Sequence, residues 1–213
     1  MNNLFKRILT SIILLVVLLN CLYVGKYLWL LLIIIASTVS FIEFNNLIKK
    51  IWFKKKTKIY IINLYSLFYF IFFIYSANFI GTISKEFTLY ILLVCIMSDI
   101  GGYVVGKKIG GKKLIKISPN KTISGSIGSF IFSLSSVTII YHENINILVL
   151  IILTLFLSFV SQCGDLFISY FKRKAKVKDT GKILPGHGGL LDRIDGIILV
   201  VPVSFFLINF IEL

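Results

Sequence analysis

The residues of this chain that could do chemistry cluster in its second half. The stretch "KDTGKILPGHGGLLDRID", residues 178–195, follows "FKRKAKV" and interrupts a sequence that is otherwise apolar. Lys172, Arg173 and Lys178 are cations suited to phosphate groups. Gly188 and Gly189, lacking a Cβ, would let backbone N–H groups approach an anion at the start of a following helix. His187 could position a phosphate or move a proton. Asp192 and Asp195, three apart, would share one face of that helix start. With Asp165 from the preceding helix they could form an oxygen cage for a hard divalent cation such as magnesium, which takes one or two carboxylates plus phosphate oxygens. The plainer reading is a basic loop that sets membrane topology, with one aspartate capping the helix and pairing with Arg193. A cap needs one such residue, not two and a buried third.

A second polar loop, "GKKIGGKKLIKISPNKTISGSIG", lacks the spacing of a soluble phosphate-binding loop. It still offers Lys121 as a point charge and Ser118 and Thr122 as hydroxyl donors. Between the loops, Ser158, Ser161, Gln162, Asp165 and Ser169 recur at three and four and make one polar stripe on an apolar helix. Asp99, Gly102, Tyr103 and Gly106 likewise share a face, where small residues admit a neighbouring backbone. A carboxylate near the bilayer centre costs roughly 2.5–3.5 kcal/mol on insertion scales, so Asp99 and Asp165 are expected to face the bundle interior with partners. Ser126, Ser129, Ser133 and Ser136 read as helix-to-helix glue.

These residues must be positioned by membrane helices. Of 213 residues 57% are hydrophobic, which is above the range of soluble domains, and the mean hydropathy is +0.94. The expected fold is an all-α polytopic bundle forming a single domain over 1–213. About seven transmembrane helices are placed near 8–25, 28–47, 59–80, 87–106, 123–141, 146–170 and 189–210. The start "MNNLFKRILTSIILLVVLL" is read as a retained first helix rather than a cleaved leader. The formal charge of +14 sits in short gaps between apolar segments, which argues for topology rather than nucleic-acid binding. Lysines and arginines fill alternate gaps, and the opposite gaps hold only Lys26 and Lys85. That puts the N-terminus in the cytoplasm and the C-terminus outside. Pro202 should kink the last helix. Cys21, Cys95 and Cys163 have no metal-ligand spacing.

Ser169, Lys172, Arg173, Lys178, Asp179, Gly181, Pro185, His187, Gly188, Gly189, Asp192, Arg193 and Asp195 resemble, position for position, the signature of the phosphatidate cytidylyltransferase (CDP-diacylglycerol synthase) family. Support extends to "SQCGDL", "SPNKTISGSIG" and "SDIGGYVVGKKIGG", so 87–210 reads as the catalytic part and 1–80 as generic spans. The resemblance implies a multi-pass enzyme of the inner (cytoplasmic) membrane, tending to be dimeric. It would join CTP and phosphatidic acid into CDP-diacylglycerol and pyrophosphate, using magnesium and in some members potassium at a second site. By position, Asp165 and Asp192 would be metal ligands with Asp195 close behind. Asp99, Ser118, Lys121 and Thr122 would belong to the nucleotide pocket with Gly188 and Gly189. Lys172, Arg173, Lys178, Asp179, His187 and Arg193 would act on the phosphates, in a polar funnel among spans four, six and seven. The attacking phosphate is already anionic, so cation clamps matter more than a general base. Rival readings are a CTP-dependent lipid kinase, which would release CDP, a CDP-alcohol phosphotransferase, whose longer-spaced aspartate motif is absent, and a transporter with aspartates lining a path.

Overall fold

The computed structural model describes residues 3–115, 118–140, 146–184 and 188–208. Eight α-helices account for most of them: α1 (Asn3–Val24), α2 (Lys26–Ile51), α3 (Lys56–Ile83), α4 (Lys85–Ile109), α5 (Ile123–Ser133), the single turn α6 (Val137–Ile140), α7 (Ile147–Lys174) and α8 (Ile197–Leu207). A 3₁₀ turn at Leu134–Ser136 joins α5 to α6. Four helices, α2, α3, α4 and α7, are long and apolar enough to cross a membrane, and three shorter apolar stretches lie at Thr10–Val24, Ile123–Ile139 and Ile197–Leu207. The 28 residues of α7 reach about 42 Å, beyond a hydrocarbon core of about 30 Å.

Two elements depart from the sequence expectation. The basic loop after α4 is a two-stranded antiparallel hairpin, β1 (Lys113–Ile115) with β2 (Ser118–Thr122). The last helix starts at Ile197, not near residue 189, because the backbone amides of 189–191 are turned onto carboxylates instead of entering a helical ladder. Pro202 lies inside α8, as expected.

The chain forms two compact units, 1–83 with 171–194, and 84–170 with 195–213. In the first, α2 packs along α3. Trp29, Ile33, Phe44, Leu47 and Ile48 are buried on one helix and Phe70, Phe73, Ala77 and Ile80 on the other. Trp29 Nε1 donates to the Ala77 carbonyl (3.2 Å) and Ser37 Oγ to that of Phe70 (3.2 Å). A Cβ at Gly81 would collide with the Trp29 indole, so glycine is needed to seat it. Opposite faces expose Ile35, Ile42, Phe68 and Ile71. Such stripes are rare on proteins in water and suit a hydrocarbon surrounding.

In the second unit, α4 and α5 approach backbone to backbone. A Cβ at Gly101 would meet the Gly128 carbonyl, and one at Gly125 the Gly102 carbonyl. Ser129 Oγ donates to the Ser98 carbonyl at 2.7 Å. In lipid, where burial of apolar surface between helices gains little, such close packing and interhelical hydrogen bonds hold the pair. Helix α7 joins them through Tyr90 OH and Thr154 Oγ1 (2.7 Å), Ser98 and Ser158 (3.1 Å), and Ser126 and Gln162 (2.5 Å). The polar stripe on α7 is therefore turned onto α4 and α5. Ser133 and Ser136 instead bond within their own turns, so only half of the serine face expected as glue links helices.

Candidate active-site segments

In the first unit, residues 172–184 and 188–193 gather around two carboxylates. Phe171 packs edge-on to Phe44 (5.2 Å between ring centroids), which sets the end of α7 beside α2. Lys174 Nζ lies 5.1 Å over the Trp52 ring and ties the same end to the α2–α3 turn. Beyond Lys174 the chain turns back through Lys176, in the left-handed region at φ 56°. Asp192 Oδ1 accepts from Lys172 Nζ at 2.7 Å. Asp192 Oδ2 accepts from the Thr180 amide (2.7 Å), the Thr180 hydroxyl (2.9 Å) and the Gly189 amide (3.1 Å). Burial alone would push the Asp192 carboxyl up. The Lys172 ammonium and the Thr180 and Gly189 amides outweigh it and hold the group below the ordinary carboxylate value.

The second carboxylate is Glu43 of α2, buried at 3% exposure. Its Oε2 accepts from Thr180 Oγ1 (2.9 Å) and the Leu191 amide (2.9 Å), and its Oε1 from the Leu190 amide (3.2 Å). Leu184 and Gly188 exchange backbone hydrogen bonds of 2.9 and 3.2 Å. Gly188, at φ 88°, adopts a conformation that other residues rarely take and sits against Asp179 and Asp192. Arg173, Lys178, Asp179 and Arg193 are exposed around this core.

In the second unit, Lys121 of β2 forms an ion pair with Asp165 of α7, both about one-quarter exposed (26% and 27%). Ser169 Oγ donates to the other Asp165 oxygen at 3.3 Å. Gln162, on the same stripe, accepts from Ser126 through Oε1, and its buried Nε2 meets no acceptor among the described residues. Thr122 Oγ1 caps α5 by accepting from the Gly125 amide (3.1 Å), and Ser118 is buried in β2. Asp195 is buried where Gly164 of α7 lies against its carbonyl, and its Oδ1 accepts from the Gly196 amide at 2.9 Å.

Lys172 joins Asp192, Asp179 joins Gly188, and Lys121 joins Asp165. Asp165 and Asp195 belong to the second unit and Asp192 to the first. Within neither unit do three His, Cys, Asp or Glu side chains gather as a metal cage would require, among the described residues. The Gly189 amide serves an internal anion, and no helix starts beside it, so the helix-dipole contribution expected at "PGHGG" is missing there. Asp99 is exposed rather than turned inward, because Ser98, Gly101 and Gly102 occupy the faces packed on α5 and α7. His187 and Pro185 lie outside the described residues. Glu43 and Thr180 were missed from sequence. Glu43 is an acidic residue in an apolar span, a signal that was available, and Thr180 falls at a position the signature leaves open.

A sequence model of the Cytidylyltransferase family matches residues 52–211. Three curated relatives carry the name phosphatidate cytidylyltransferase. The one from Bacillus subtilis is 44% identical over 126 residues, covering 56% of this chain and 47% of the relative. That from Staphylococcus haemolyticus is 47% identical over 121 residues, covering 55% and 46%. That from Rickettsia bellii is 45% identical over 131 residues, covering 56% and 57%. The chain spans about half the length of the curated relatives it matches. With three-quarters of its residues inside that match, the chain belongs to the cytidylyltransferase family.

Proposed function

We propose that this protein transfers a cytidylyl group from CTP to phosphatidic acid, giving CDP-diacylglycerol and pyrophosphate. The observation that carries the reading is the signature-bearing part of the first unit, where Asp192 and the Glu43 carboxylate of α2 are taken up by internal donors while Arg173 and Lys178 are exposed to meet phosphates. The relatives' shared name supplies the substrate pair.

In this reading the cations of each unit bind phosphate groups, and the phosphatidic acid oxygen attacks the α-phosphorus of CTP. Orientation and charge neutralisation supply most of the rate, since the nucleophile needs no base. Asp165 offers hard carboxylate oxygens at a partly exposed position, which fits a magnesium ion taking one carboxylate and several phosphate oxygens. Magnesium, when bound, neutralises charge on the triphosphate and the departing pyrophosphate. The helices would cross the inner membrane with their lysine-rich ends in the cytoplasm, N-terminus inside and C-terminus outside, so that acyl chains stay in the bilayer while CTP arrives from the cytosol.

The test is purified protein in detergent with phosphatidic acid, magnesium and CTP labelled at the α-phosphate. The expected result is label in the lipid fraction with one pyrophosphate released per lipid. Release of CDP instead would assign a kinase, and no labelled lipid would refute the reading.

A further inference from the structure

Glu43 lies far in sequence from every signature residue, yet it is one of the most completely satisfied carboxylates in the molecule. Its two oxygens accept three hydrogen bonds, all from the 180–191 segment. The segment is moulded to it. A Cβ at Gly181 or at Gly189 would collide with the Glu43 carboxylate, so both positions require glycine for the loop to close on that side chain. A buried charge is costly unless fully paired with donors, and here the donors are two consecutive backbone amides and one hydroxyl. Glutamine could not replace it in kind, because both oxygens face N–H or O–H groups and one of them would become a donor. The Thr180 hydroxyl adds a link. It stands 2.9 Å from Glu43 Oε2 and 2.9 Å from Asp192 Oδ2, with a single proton to share between them. Glu43 thus reaches the Lys172–Asp192 pair through one intervening oxygen.

We propose that Glu43 is a positioning residue: it anchors the 180–191 segment to α2 and, through Thr180, fixes Asp192 and Lys172 in place for the substrate phosphates. The second half of that statement rests on the reaction proposed above, and the first does not.

The experiment has two arms on the full-length protein in detergent. Limited trypsin digestion reads the loop directly, because Lys178 and Lys182 are exposed and flank Thr180, while the exposed Lys54–Lys56 and Lys112–Lys113 serve as internal controls. Glu43→Gln and Thr180→Val should speed cleavage after Lys178 and Lys182 by about ten- to a hundredfold, the factor that loss of one charge-assisted hydrogen bond implies, with control sites cut at the wild-type rate. Thr180→Ser should restore protection. Where Glu43→Gln loosens every site and so unfolds generally, Thr180→Val decides. In the second arm, formation of labelled lipid should fall in Glu43→Gln and Thr180→Val and recover in Thr180→Ser. Unchanged cleavage after Lys178 and Lys182 in both variants overturns the inference. So does selective cleavage accompanied by undiminished turnover. A wild-type protein that forms no labelled lipid refutes the proposed reaction, and the digestion arm still tests the anchor.

Discussion

Removing the Lys172 ammonium should destabilise the first unit by an amount that its geometry allows to be worked out. Lys172 Nζ lies 2.7 Å from Asp192 Oδ1, and the two side chains are only 15% and 8% exposed. Breaking a buried pair from one side costs about 3–5 kcal/mol when the orphaned charge has no other support. Asp192 keeps two amides and a hydroxyl on its other oxygen, so Lys172→Met should cost less, about 2–3 kcal/mol. At about 2–4 °C per kcal/mol for a chain of this size, the unfolding midpoint should drop by about 4–12 °C. Both tryptophans, Trp29 and Trp52, belong to the first unit, so intrinsic fluorescence during heating reports on it directly. The pH dependence has a definite sign. Because the Asp192 carboxyl is held below its ordinary value, its stabilisation is fully present above the unfolded value of about 3.9 and is lost as pH falls through the folded one. Lys172→Met removes the Lys172 lowering influence and leaves burial opposed only by the Thr180 and Gly189 amides, so the acid-induced loss should move to higher pH. In a double-mutant cycle with Asp192→Asn the pair should couple by at least about 1.5 kcal/mol. Additivity within about 0.5 kcal/mol would show that the two side chains act independently and would refute the reasoning.

The remaining expectations concern the second unit. Gly128→Ala places a methyl group against Val105 and the Gly101 carbonyl and should cost about 1–3 kcal/mol in thermal stability, whereas Gly25→Ala, which meets nothing, should stay within about 0.5 kcal/mol. Thr122→Ala removes the α5 cap and should cost about 1 kcal/mol, most of it retained in Thr122→Ser. Asp165→Asn should abolish labelled-lipid formation while the protein still inserts, and Lys121→Ala should mainly raise the CTP concentration needed; wild-type rates in the first, or an unchanged CTP dependence in the second, would count against their assigned roles.

Legibility in the sequence followed the range of the interactions. The α7 stripe and the small face of α4 could be read because both repeat at helical spacing and each meets a neighbouring helix. The apolar segments were legible from length alone. What failed was long-range or conformational. Glu43 binds residues 137 to 148 positions away, and no local pattern announces that. The start of α8 was misplaced because "GGLLDRID" has the look of a capped amphipathic turn. The amides that would begin such a helix are instead taken by Asp192 and Glu43. The hairpin is not legible because its lysines read as a solvated loop and β1, Lys113–Ile115, is only 3 residues long.

The two lysine–carboxylate pairs are alike in chemistry and unlike in what they leave available. Asp192 Oδ2 already receives three donors, and its side chain is 8% exposed. A metal ion binding there would have to displace these donors, a loss of about 1–3 kcal/mol for each buried donor left unpaired. Asp165 carries one lysine and one serine hydroxyl at 27% exposure. A lysine on a flexible stem can turn from a carboxylate to an arriving phosphate at small cost, because it keeps an anionic partner throughout. Under the proposed reaction, Asp165 would hold a divalent ion in place of Lys121, and the lysine would keep a phosphate as its partner. Under that reaction Asp165 would be the metal-facing carboxylate, and Asp192 the internal counter-charge that keeps Lys172 and the glycine turns in place. Asp192→Asn should accordingly lower stability as well as activity, while Asp165→Asn should spare stability and remove the dependence of CTP binding on magnesium. The reverse pattern would exchange the two roles.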